Sequence, residues 1–146
     1  MLRNRIVNGQ KASDATYVAH ADLVRGMGVV KGVAGATAFA ESDEQNIMVF
    51  LVDRDNLSEG IECAYTDRPD TAFDNIKQGD KVILRPYNIG ESFYTDQYVE
   101  GAEVDGKFVV AGADGKWKAS TNGTKFVSRG TEVVAGLKML VVEVVL

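Results

Sequence analysis

Residues 101–127 read GAEVDGKFVVAGADGKWKASTNGTKFV, and this stretch decides the fold. Three dipeptides, Asp105-Gly106, Asp114-Gly115 and Asn122-Gly123, separate short segments such as Lys107-Phe108-Val109-Val110 and Lys116-Trp117-Lys118. Asx-Gly pairs tolerate the positive φ of tight turns, so their recurrence at eight- or nine-residue intervals predicts an antiparallel meander. The chain reads as mainly β.

Outward from the meander, the closing segment Leu137–Leu146 is apolar on both parities, with Leu140, Val142 and Val144 on one face. A half-buried edge strand would alternate. This one is expected to be central in the fold or covered by another subunit. Upstream, Asn46–Val52 is a continuous β-branched and aromatic run that predicts a strand buried on both faces. Ile61, Cys63 and Tyr65 alternate as a further strand, and Asp80–Arg85 and Ser92–Tyr98 are two more. Residues 69–78, from Pro69 to Gln78, are the single candidate for a short helix, with Phe73 and Ile76 on one side and Gly79 as its stop.

Residues 23–35 are dotted with Gly26, Gly28, Gly32 and Gly35, a pattern that predicts short strands in close backbone approach. Residues 1–22 lack periodicity of either kind. They are expected to form an extended N-terminal arm preceding a β domain over 23–146, either an antiparallel β-sandwich or a small barrel. Deleting the arm should then leave the fold intact.

At 146 residues one domain is the natural reading, and 45% hydrophobic with 25% charged residues is the composition of a globular protein. No apolar run approaches the roughly 18 residues that span a bilayer, and no signal-like core follows the N-terminus, so a cytoplasmic site of synthesis without membrane association is expected. Net charge is −5, divided unevenly: residues 1–31 carry +3 and the remainder −8. An acidic body argues against nucleic acid, whereas the basic leading segment could seek an acidic partner.

Reactive constellations are scarce. His20 is the only histidine and falls in the arm, which removes two-histidine metal sites and leaves Ser-His-Asp or Cys-His catalysis without support. It is expected to be an exposed polar residue. Cys63, the only cysteine, is expected to be a small buried hydrophobe. Gly26-Met27-Gly28-Val29-Val30-Lys31-Gly32 is one residue too long for a dinucleotide fingerprint, and no phosphate-cradling loop exists. Asp53-Arg54-Asp55 begins like a calcium loop but continues with Leu57 and Ser58, and Asp67 and Asp70 form no more than an acidic pair. The chain is therefore expected to be no enzyme and to need no cofactor or metal. Tyr87, Phe93, Tyr94 and Tyr98 form an aromatic cluster, read as core and interface residues in preference to a stacking platform for sugars.

A basic irregular leader, Ile76-Lys77-Gln78-Gly79-Asp80-Lys81-Val82-Ile83-Leu84, the turn Asp114-Gly115-Lys116-Trp117 and the hydrophobic last strand together resemble the small head-decoration (cement) proteins of tailed bacteriophages. The resemblance implies a virion structural protein on the capsid surface, bound to the major capsid protein, homo-oligomeric and often trimeric, acting by adhesion. Arg3, Arg5, Tyr17 and Arg25, with Leu140, Val142 and Val144, are then the expected interaction residues. The alternative is a tail, baseplate or carbohydrate-binding β module using the Tyr87–Tyr98 region.

Overall fold

The computed structural model describes residues 1–8, 13–40, 48–54, 74–134 and 136–146. Among them the strands are β1 (Leu2–Ile6), β2 (Asp14–Val18), β3 (Leu23–Val24), β4 (Gly28–Lys31), β5 (Thr37–Ala38), β6 (Phe50–Asp53), β7 (Asn75–Ile76), β8 (Lys81–Arg85), β9 (Ser92–Thr95), β10 (Phe108–Ala111), β11 (Trp117–Ala119), β12 (Phe126–Val134) and β13 (Leu137–Val144). A six-stranded sheet runs β1-β9-β13-β12-β10-β11, a five-stranded sheet runs β2-β8-β6-β4-β5, and β3 pairs with β7 in a short ribbon. Each pairing between two of these strands is antiparallel, as expected for a mainly β sandwich or barrel, and Val18–Ala36 and Tyr98–Trp117 form isolated parallel bridges.

The main core lies between the two sheets. Leu2, Phe93, Val109, Trp117, Phe126, Leu140, Val142 and Val144 from the larger sheet meet Leu51 of the smaller and Val49 just before its strand β6. A second core of Leu23, Met27, Val29, Val52, Ile76, Val82 and Leu84 covers the other face of the five-stranded sheet. Strand alternation explains the division: Leu51 points into the first core and Val52 into the second. The strand expected to be buried on both faces is therefore β6, although Asn46 and Ile47 lie outside the described residues.

Several expectations are corrected. Residues 1–22 are not an arm beside the body, because β1 pairs with β9 and β2 with β8. Only Leu2 of β1 is deeply buried in the strand pattern, which is why no periodicity announces it. The meander is also partly overturned. Asp114-Gly115 does turn β10 into β11, but β12 pairs with β10 and not with β11. The Asn122-Gly123 segment crosses back instead of closing a hairpin; a turn dipeptide fixes where the chain bends, and not which strand it then joins.

The last strand is central, flanked by β9 and β12. Its two apolar faces are satisfied within one chain. Of the expected helix, residues 69–73 lie outside the described residues, Asp74 is helical, and Asn75–Ile76 is strand. The Ile61-to-Tyr65 strand with Cys63, and the acids Asp55, Asp67 and Asp70, also lie outside them.

Candidate functional site

Among the described residues, buried and half-buried charged side chains meet one another at the strand ends. Asp53, at the end of β6, accepts from Arg25 Nε at 2.8 Å and from Arg85 Nε. Asp74 accepts from Arg25 at 3.3 Å and lies 3.3 Å from the Met1 ammonium, which also pairs with Asp96. Three carboxylates thus meet three cations. The network joins the ends of strands from both sheets and the ribbon, and its balanced charge is what makes partial burial tolerable. Arg25, expected to be an interaction residue, is committed here, with only 15% of its side chain exposed.

Leu140, Val142 and Val144 are corrected too. They are 0%, 0% and 1% exposed, so no partner can reach them. Tyr87 and Phe93 are likewise interior, their rings packed at a 45° tilt with centroids 4.8 Å apart, which removes them as a sugar platform. Burial pushes the Tyr87 phenol far above its ordinary range, and its hydroxyl donates to Asn4 Oδ1. Tyr94 is half-buried; its hydroxyl donates to Glu132 at 2.7 Å, a bond that raises its pKa.

His20 is not the exposed polar residue expected; it is half-buried and in contact. Its ring packs edge-on to Phe39 at 4.5 Å, Nδ1 sits 2.7 Å from Thr37 Oγ1, and Nε2 is buried with no partner. Burial holds its pKa below the ordinary value. Tyr17 is half-buried, with the Lys31 ammonium over its ring at 5.3 Å. Lys31 also bonds Asp14 at 2.8 Å, which with Thr16 holds that carboxyl well below the usual carboxylate range.

What remains for a partner is surface. Arg3 is exposed, and Arg5 reaches Glu132 at 3.6 Å. Arg3 lies opposite Tyr94 and Glu132 opposite Met139, whereas at the end of the larger sheet the register brings Ile6 opposite Ser92 and Ser92 opposite Glu143. Gly90 N–H donates to the Val144 carbonyl at 2.8 Å, so the β8–β9 turn and the residues after β13 converge there. Ile6, Ile89, Val145 and Leu146 are 53%, 66%, 37% and 57% exposed. This apolar end was missed because its members are scattered across 140 positions, each unremarkable alone. No group of three or more His, Cys, Asp or Glu suited to a metal occurs among the described residues.

The sequence matches no family model, no curated protein and no solved structure.

Proposed function

We propose that this chain is a non-enzymatic virion structural protein that binds the outer capsid surface of a tailed phage and stabilises the head. The observation that supports this reading is the exposed apolar end to which Ile6, Ile89, Val145 and Leu146 belong. Exposed apolar side chains gathered at one place mark contact surfaces. The interior charges need no ligand to account for them, since the carboxylates of Asp53, Asp74 and Asp96 already meet cations. Adhesion through this end, to the major capsid protein and to further copies of the chain, is the function that geometry favours. With β13 internal, its apolar faces no longer argue for an oligomer, and self-association also rests on the exposed end.

The test is co-sedimentation of the purified protein with empty capsid shells, alongside its mass in solution and imaging of the native assembly. Binding that Ile89→Asp and Leu146→Asp abolish, while thermal melts stay unchanged, is the expected result. A monomer that ignores capsids, and an unlabelled capsid in the native assembly, would remove the proposal.

A further inference from the structure

Strand β11 is an edge of the six-stranded sheet, and its backbone directions follow from the bonds it makes. Ser120 N–H donates to Phe108 O at 3.0 Å and Gly112 N–H to Lys116 O at 2.9 Å. Alternation in an antiparallel pair then turns the N–H and C=O of Lys118 toward β10, and those of Trp117 and Ala119 away from it. The outward groups of Trp117 are occupied: its N–H donates to Gln97 O at 3.0 Å and its carbonyl accepts from Val99 N–H at 2.9 Å. Ala119 is the next outward residue. It makes no such bond among the described residues, and its side chain is exposed.

Two clefts flank this open point. One, of about 320 Å³, is lined by Lys118, Ser120 and Asn122 over Val110 and Ala111. The other, of about 330 Å³, is lined by Lys107, Phe108, Ala119 and Ser120. Each therefore holds one lysine, and Ser120 belongs to both. Arg5, Lys31, Arg85 and Arg129 all have a carboxylate partner, whereas Lys107 and Lys118 have none among the described residues. Asp114, the nearest acid in the β10–β11 turn, is engaged with the Lys116 amide at 3.0 Å.

We infer that the open edge at Ala119 takes an extended acidic peptide by strand addition. Main-chain bonds at Ala119 would fix the peptide, and consecutive side chains of a strand point to opposite faces, so an adjacent pair of carboxylates would enter the two clefts and meet Lys118 and Lys107. Phe108, 39% exposed, offers an apolar wall beside the second cleft. This surface differs from the apolar end assigned to capsid attachment, and the inference does not depend on that reading.

The experiment is fluorescence anisotropy with a labelled hexapeptide, Thr-Val-Glu-Glu-Val-Thr, blocked at both ends. Three comparisons accompany it: the Lys-Lys counterpart, the same acidic peptide N-methylated at alternate residues, and an oligouridylate of equal charge. Binding of the acidic peptide alone is expected, with loss on N-methylation and protection of the Ala119 amide from hydrogen exchange. Lys118→Gln and Lys107→Gln should each weaken binding by about tenfold, the size of one lost charge-assisted contact. Absence of binding at millimolar peptide would overturn the inference, as would equal affinity for the N-methylated peptide or the oligouridylate. Both lysines are on the surface, so the variants should fold; unchanged melts will verify that.

Discussion

The indole N–H of Trp117 donates to the main-chain carbonyl of Gly26 at 2.9 Å, joining positions 91 residues apart. Thr95 Oγ1 donates to the same carbonyl, also at 2.9 Å. Trp117 is fully buried and packs edge-on to Phe126 with centroids 4.9 Å apart, so one side chain fills the core and ties the β3–β4 turn to the larger sheet. Trp117→Phe keeps an aromatic ring but loses volume and the bond. It should cost about 2 kcal/mol in urea unfolding, and a loss below a few tenths would show that the Gly26 contact contributes nothing.

Gly28 explains how the sheets come so close. A Cβ there would lie 2.5 Å from Ala111 Cβ and 3.1 Å from the Trp117 ring, and Gly28 N–H donates to Gly115 O at 3.0 Å. Gly28→Ala is expected to destabilise by about 1–3 kcal/mol through overpacking. Gly35 offers the contrast. Its Cβ would meet open space, and its φ of +74° alone should limit the cost of Gly35→Ala to about 1 kcal/mol. Parallel denaturant titrations that rank the two in the opposite order would refute the packing account.

Asp53 bridges Arg25 and Arg85 from a side chain that is 10% exposed. Where water is scarce, Asp53→Asn takes the shared carboxylate from Arg85 and Arg25, of which Arg25 keeps Asp74. A loss of about 3 kcal/mol is expected, as for other broken buried pairs. Chemical denaturation at neutral pH checks it, and a variant as stable as the parent would show that water already screens the network.

His20 gives the stability a pH dependence of known sign. Burial places its folded-state pKa below the ordinary 6.5, so between those two values the unfolded chain binds more protons. Stability from the neutral ring should be full above about pH 6.5 and fall as the pH drops toward the folded value. Melts recorded from pH 7.5 to 5 on the parent and on His20→Gln measure this; parallel curves for the two proteins would contradict it.

Truncation tests the place of the N-terminus. Removing residues 1–22 takes away β1, β2, the buried Leu2 and the Met1 ammonium between Asp74 and Asp96. The shortened protein should lack a cooperative thermal transition by circular dichroism. A sharp melt near the parent value would restore the picture of a detachable arm.

The β class, β6 with its two buried faces, β8 and β13 were legible because each is a local pattern: an apolar run or an alternation bounded by turn residues. Gly26 and Gly28 were legible as sites of close approach for the same reason, since the missing Cβ is written in the residue itself. β12 was obscured by a bulge between Ser128 and Thr131, with Gly130 at φ +83°, which interrupts the alternation. β1 was obscured because only Leu2 among its residues reaches the core.

By itself, then, the sequence determined that the chain folds as antiparallel β, where it turns, and which segments are apolar enough to be interior. Only the tertiary structure decided that β12 returns to β10, that β13 lies between β9 and β12, and that Arg25 is spent on Asp53 and Asp74. The reason is physical. Turn propensity and strand alternation depend on neighbours in sequence, whereas pairing partners and ion networks depend on which of many apolar strands bury most together, a property of the assembled sheets that no short stretch contains.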